Sequence, residues 1–225
     1  LFYSLFSQIK HVPRVIVSDI EHPCVSSVLQ QYAANGVIEL VTCSVDDKGV
    51  ICLDELNDLL NSNTVLVSVM LANNDTGTIQ PINQVVQLAK NVGAMVHCDI
   101  VQAVGKMPIN LNCLGVDFAT LSAHKCYAPT GLGILMMKSS DDLKPMIFGG
   151  SQQDMMRAGS VNVFGMATFV EGVSFCYSKL DHHLDISNWV EQLDAASDQI
   201  KIISSPSLPN QLWNTVAISF TNYDA

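Results

Sequence analysis

The sequence predicts an α/β protein in which a mostly parallel sheet carries helices on both faces. Two observations carry this expectation. From residue 14 to residue 138, short apolar runs rich in Val, Ile and Leu alternate with helix-length segments, as they do where helices connect the strands of a parallel sheet. Polar residues stop each run, and no repeat or low-complexity tract breaks the alternation.

The chain opens on a helix-like run, Leu1-Phe2-Tyr3-Ser4-Leu5-Phe6. A strand over 14–18, a helix over 22–34, a strand over 37–42, a helix over 53–60 and a strand over 64–70 follow. Pro81 introduces a helix over 82–91, because its fixed φ suits a first helical turn. The apolar run Ala94-Met95-Val96-His97-Cys98 reads as a strand ending at Asp99, and Asp117-Phe118-Ala119-Thr120-Leu121 as another, with Ser122 directly after it. Later strands are expected over 131–138 and 144–148. Over 161–178, Phe164, Met166, Ala167, Phe169, Val170 and Val173 give a helix an apolar surface. A segment over 185–200 and a strand over 215–220 complete the layout.

Composition narrows the classes of function. The formal charge of −10, with Lys+Arg 11 against Asp+Glu 21, argues against nucleic acid, which needs clustered cations to displace counterions. Hydrophobic content is 48%, yet no apolar run approaches the roughly 18 residues of a spanning helix, so no membrane partner is expected. Cys24, Cys43, Cys52, Cys98, Cys113, Cys126 and Cys176 are scattered without a C-x-x-C pair, so no metal is expected. An odd cysteine count without a signal peptide suggests a reducing, cytoplasmic location. Cys98 and Cys126 are expected to be packing residues.

The chemistry is concentrated at strand ends. Lys125 sits in Ser122-Ala123-His124-Lys125, directly after the strand that ends at Leu121, and Asp99 ends the preceding one, 26 residues earlier (125 − 99). A lysine amine can hold an aldehyde cofactor as a Schiff base, and a carboxylate can keep a pyridine nitrogen protonated, so the pair reads as a pyridoxal-phosphate site. Open α/β sheets bind ligands at the carboxyl edge of their strands. Asn73-Asn74-Asp75-Thr76-Gly77 after the strand over 64–70, and Gln102 three residues past Asp99, add polar side chains to the same edge. Taken singly, each has a plain structural alternative. Lys125 could be a solvated loop residue, Asp99 or Gln102 a helix cap, His22 a surface residue and His124 a satisfied core histidine. Asn74 and Gly77 could build a turn, and Ser122 could bond its own backbone.

Taken in order, Glu21-His22, the segment from Met70 to Gly77, His97-Cys98-Asp99-Ile100-Val101-Gln102-Ala103-Val104-Gly105-Lys106 and Ser122-Ala123-His124-Lys125-Cys126-Tyr127-Ala128-Pro129-Thr130-Gly131 resemble the cysteine desulfurase and selenocysteine lyase family. This family lies within the class V branch of fold-type I pyridoxal-phosphate enzymes. The resemblance covers nearly the whole chain. It implies that Lys125 carries the cofactor, Asp99 pairs with the pyridinium nitrogen and His22 stacks on the ring and assists proton transfer. It also implies that Asn74 and Gln102 bond the phenolic oxygen, and that Ser122 and His124 bind the phosphate.

The segment from Gly149 to Ser160 resembles the family's glycine-rich loop, where a hydroxyl at the Ser160 position reaches the phosphate of a neighbouring subunit. The resemblance therefore implies a homodimer. Ser151 stands where a glycine is usual, Gln153-Asp154 where a Glu-Arg pair is usual, and Ser160 where threonine is usual. Losing the arginine removes a bidentate anion-binding group. The domains that the resemblance implies are a large cofactor domain over 1–160, a connecting helix over 161–178 and the start of a small α+β domain over 179–225.

The implied activity is removal of sulfur from L-cysteine to give alanine and an enzyme persulfide, supplied to a sulfur-acceptor scaffold for iron–sulfur cluster or thio-cofactor assembly. Selenocysteine lyase or another class V activity is the first alternative, and a non-catalytic remnant of the same fold the second. The family's phosphate loop, thiol nucleophile and carboxylate-binding arginine match no segment here, so the chain is expected to be a fragment of a longer protein and inactive by itself. A nicotinamide-binding fold is disfavoured, because no G-x-G-x-x-G follows the first strand.

Overall fold

The computed structural model describes residues 1–139, 143–182 and 185–221; residues 222–225, the end of the predicted small domain, lie outside them. Six strands form the main sheet: β1 (Arg14–Ser18), β2 (Glu39–Cys43), β3 (Thr64–Ser68), β4 (Met95–Asp99), β5 (Phe118–Ser122) and β6 (Gly133–Met137). Their spatial order is β2-β1-β3-β4-β5-β6. Every neighbouring pair from β2 to β5 is parallel, and only β6 runs antiparallel, against β5. The expected mostly parallel sheet is therefore present.

Strand residues alternate between two cores, as the period of two requires. Val15 and Val17 pack with Leu5 and Phe6 of α1 (Phe2–Phe6) and with Val25 and Leu29 of α2 (Pro23–Ala34). Ile16, Val67, Val96 and Cys98 face the other way, toward Leu56 of α3 (Leu53–Leu59) and Ile82, Val85, Val86 and Ala89 of α4 (Ile82–Asn91). Leu29 and Leu56 are fully buried, and truncating either to alanine should cost about 2–5 kcal/mol.

Downstream lie α5 (Leu111–Leu114), α6 (Val163–Ser178) and α7 (Ser187–Ala196). Phe169, Val173 and Tyr177 of α6 pack on the second core, while Val163, Phe164, Val170 and Phe175 of the same helix are exposed. A separate antiparallel pair, β7 (Ile200–Ser204) and β8 (Ala217–Phe220), follows α7. The segment around it packs against the loop after β3, where Ser204 Oγ donates to the Thr76 carbonyl at 2.6 Å and Leu212 N to the Gly77 carbonyl at 2.9 Å.

One expectation is corrected, and two features were not expected. Residues 144–148 form no strand; Ile147 makes one isolated bridge with Arg157, and Pro145 has no N–H to extend a ladder. Within residues 185–200, α7 stops at Ala196, because Ser197 turns extended and its hydroxyl accepts from Gln199 N at 3.1 Å, which frees Ile200 to start β7. The short α5 was not expected. Asn110 caps it through Asn112 N and Cys113 N, and Gly115 ends it at φ 72°.

Candidate active site

Strands β1, β3, β4 and β5 are side by side and parallel, so the residues that follow them share one edge of the sheet. That edge receives Glu21 and His22 after β1, Asn74 after β3, Asp99 and Gln102 at and beyond the end of β4, and Ser122, His124 and Lys125 at and beyond the end of β5.

His22 caps α2. Its Nδ1 accepts from Cys24 N at 3.1 Å, and Pro23 occupies the first helical position. Accepting through Nδ1 leaves Nε2 for other partners. The side chain is exposed, and its charge acts on the Asp99 carboxylate.

The loop after β3 is shaped by Asn73. Its buried amide accepts from Asp75 N and Thr76 N, each at 2.9 Å, and donates to the Ile20 carbonyl at 3.1 Å. The neighbouring Asn74 is half-buried and donates to Asp75 Oδ1 at 2.7 Å. Of the adjacent asparagines, one builds the turn and the other stands at the edge.

Asp99 is 7% exposed. Its Oδ1 accepts from Val101 N at 2.8 Å, and among the described residues its other oxygen has no hydrogen-bond partner. Burial raises its pKa above the ordinary carboxylate value, opposed by the Val101 amide and by His22. Glu21, also 7% exposed, lies close enough for Asp99 to act on it electrostatically. Burial, then the like charge of Asp99, pushes the Glu21 carboxyl up to about 8, with the Met70 amide and Ser18 hydroxyl opposing. Its Oε1 is 3.4 Å from Ser18 Oγ, and among the described residues its buried Oε2 has no hydrogen-bond partner. Two carboxyls in one low-dielectric space cannot readily both ionise, and the more desolvated one keeps the proton.

Behind Asp99, the His97 ring bridges the strands on either side. Its Nδ1 is 2.8 Å from Ser68 Oγ on β3 and its Nε2 2.9 Å from Thr120 Oγ1 on β5. Burial lowers its pKa to about 3, so the ring is neutral and serves as a fixed bolt across the three strands.

Lys125 lies in a 3₁₀ turn (Ala123–Cys126) directly after β5. It is exposed, and among the described residues its amine has no hydrogen bond or ion pair. Ser122 Oγ lies 2.7 Å from His124 Nδ1 in the same turn. The turn rests on α6 at Gly172, where a Cβ would lie 1.9 Å from the Cys126 carbonyl oxygen. Cys98 and Cys126 are buried, as packing thiols are. Gln102 sits one turn past Asp99, and its Oε1 accepts from Lys106 Nζ.

Seven of the expected site residues thus gather at one edge: His22, Asn74, Asp99, Gln102, Ser122, His124 and Lys125. Ser160 does not join them through any hydrogen bond among the described residues; it is exposed at the end of the loop from Gly149, beside Gly159 at φ 110°. Glu21, His97 and Lys106 appeared in the quoted motifs without a role. Glu21 carried the clearest missed signal, since it immediately precedes His22 and sits at the end of an apolar strand. A cavity of about 220 Å³ lined by Leu111, Val116, Ala119 and Met136 lies toward the opposite end of β5 and takes no part in the set. Among the described residues no helix is long and apolar enough to cross a membrane.

A family model described as aminotransferase class-V matches residues 1–225. The chain is 41% identical over 152 residues to a cysteine desulfurase of Nostoc sp. (strain PCC 7120), an alignment covering 68% of this chain and 38% of that protein. It is 35% identical over 183 residues to the cysteine desulfurase IscS of Dictyoglomus turgidum, covering 81% and 45% respectively. The fold superposes on a solved NifS-like protein with a TM-score of 0.90 at 32% identity, over 97% of this chain and 61% of that one. The chain thus spans less than half the length of these two curated relatives.

Proposed function

Because this chain belongs to the aminotransferase class-V family, we propose that it forms the cofactor-binding part of a pyridoxal-phosphate-dependent cysteine desulfurase. The carrying observation is a free amine, Lys125, one strand away from a buried carboxylate, Asp99, at the carboxyl edge of a parallel sheet. The donor set fits the cofactor. Lys125 would bind its aldehyde, Asp99 its ring nitrogen, and His22 would cover the ring. Asn74 and Gln102 would meet the phenolic oxygen, and Ser122 with His124 the phosphate.

When bound, pyridoxal phosphate supplies an electron sink that weakens the bonds to the Cα of an amino-acid substrate. The chain's own residues do the rest. Asp99 would hold a proton on the ring nitrogen, and its burial would strengthen that pairing. Glu21, carrying its proton at neutral pH, leaves Asp99 the one ionised carboxylate of the pair. The His97 bridge fixes β4 between β3 and β5, so Asp99 and Lys125 keep their separation. Lys125 would also serve as a base that moves protons at that carbon, with Nε2 of His22 as a second carrier.

L-cysteine is the proposed substrate, with alanine and a protein-bound sulfur as products. The proposal extends to a homodimer in which Ser160 completes a neighbouring site, and to a sulfur-acceptor protein. Its names rest on relatives called cysteine desulfurase. The test is to supply L-cysteine to the full-length protein loaded with pyridoxal phosphate and measure alanine and sulfide under reductant. Equal amounts of both support the proposal; alanine from a substrate without sulfur or selenium, with no sulfide from cysteine, would overturn it.

A further inference from the structure

Lys106 follows Gln102 by four residues (106 − 102), in a run of turns that Gly105 bends at φ 73°. The bend brings the two side chains together, and Lys106 Nζ donates to Gln102 Oε1. An ammonium has three donors and no acceptor, whereas a glutamine amide has an accepting oxygen and a donating nitrogen at nearly equivalent positions. A partner that only donates can hold only the oxygen. The amide nitrogen is therefore turned away from Lys106, and among the described residues it has no hydrogen-bond partner.

Lys106 is itself held in place. Its carbonyl accepts from Trp213 Nε1 at 3.1 Å and its amide donates to the Ala103 carbonyl at 3.0 Å. We propose that Lys106 is a positioning residue that locks the Gln102 amide with its NH₂ toward the cofactor's phenolic oxygen, so that an anionic oxygen meets a donor. The inference rests on the pyridoxal-phosphate reading of the site. Without Lys106 the amide can turn over, and Oε1 would then face the phenolic oxygen with a repelling lone pair.

Burial, then the charge of Lys125, pushes the Lys106 ammonium below its ordinary value, while the thiols of Cys126 and Cys176 act in the opposite direction. These groups face it from the turn after β5 and from α6. The lock belongs to the protonated form and loosens as pH rises through the Lys106 pKa.

The test uses the full-length protein loaded with pyridoxal phosphate, followed by absorbance from pH 5 to 10. A donor on the phenolic oxygen competes for its negative charge and eases loss of the proton from the nearby Lys125 nitrogen, so the yellow band titrates at lower pH. Lys106→Arg, which still only donates, should keep the wild-type midpoint. Lys106→Met should raise it by about one pH unit, about 1.4 kcal/mol.

Removing a charge can also shift the midpoint directly, so both variants are repeated with Gln102→Leu, in a double-mutant cycle. A shift that largely disappears without Gln102 supports the lock. An equal shift with and without Gln102, or no shift at all, overturns it while leaving the cofactor site intact. Absence of any band reducible onto Lys125 in the wild type overturns the underlying reading and the lock with it. Lys106→Ala replaces the methionine variant if the latter does not retain cofactor.

Discussion

Gly172 of α6 lies directly on the carbonyl oxygen of Cys126, so close that a Cβ at position 172 would stand 1.9 Å from that oxygen. The long helix is thereby pressed against the turn that carries Lys125, with the Tyr127 and Phe175 rings meeting edge to face at 5.8 Å beside the contact.

Gly172→Ala therefore sets two effects against each other. Alanine favours a helix over glycine by about 1 kcal/mol, but overlap with fixed backbone costs about 1–3 kcal/mol or more, because neither side is the flexible end of a side chain. The overlap should win. The thermal midpoint should fall by about 2–4 °C per kcal/mol lost, and pyridoxal phosphate should bind less tightly as the lysine turn shifts. A higher midpoint with unchanged cofactor affinity would mean that α6 does not press on this turn.

Glu21 and His97 should shape the pH dependence of stability in opposite directions. Glu21 has its folded pKa raised to about 8 from an ordinary 4.5, so its contribution is full below about 4.5 and is lost as pH rises to about 8. His97 has its folded pKa lowered to about 3 from 6.5, so its contribution is present above about 6.5 and is lost as pH falls toward 3. The two slopes, each at most about 1.4 kcal/mol per pH unit, largely cancel between about pH 4.5 and 6.5. Urea unfolding of wild type and Glu21→Gln at pH 5, 6, 7 and 8 isolates the first: the glutamine variant should gain steadily on wild type as pH rises. Parallel curves would show that Glu21 is ionised in the folded protein at neutral pH.

Much of this fold is legible in the sequence because its inner strands are short apolar runs buried on both faces, and its turns carry explicit stops. Pro81 places α4 to the residue, Asp99 ends β4 as expected, and β5 runs one residue past the expected end at Leu121, to Ser122. Segments with weak or competing local signals were harder to read. Residues 144–148 are apolar enough for a strand but Pro145 forbids the ladder, and β7 was not expected, because Ser197 diverts the chain out of α7 through a side-chain hydrogen bond. At the site, side chains standing at strand ends could be listed from sequence. The contacts that position them, such as His97 across Ser68 and Thr120, depend on which strands are neighbours, and chain order does not give that.

Asp99→Asn should preserve the fold, because the amide oxygen can still accept from Val101 N, which Asp99 Oδ1 now holds at 2.8 Å. It should also preserve covalent cofactor binding. Turnover of L-cysteine by the full-length enzyme should fall about 10²-fold or more, the typical cost of removing one preorganised electrostatic group. Steady-state kinetics on the cofactor-loaded variant check this, and wild-type turnover would refute the role of Asp99 on the ring nitrogen.

The central claim is that Lys125 holds pyridoxal phosphate, and the most direct measurement is an absorbance spectrum of the full-length protein with the cofactor, before and after borohydride reduction, followed by peptide mapping. A yellow band that reduction fixes onto Lys125, absent from Lys125→Ala, is the expected result. A band that survives in Lys125→Ala, or a label mapped to another lysine such as Lys106, would contradict the account.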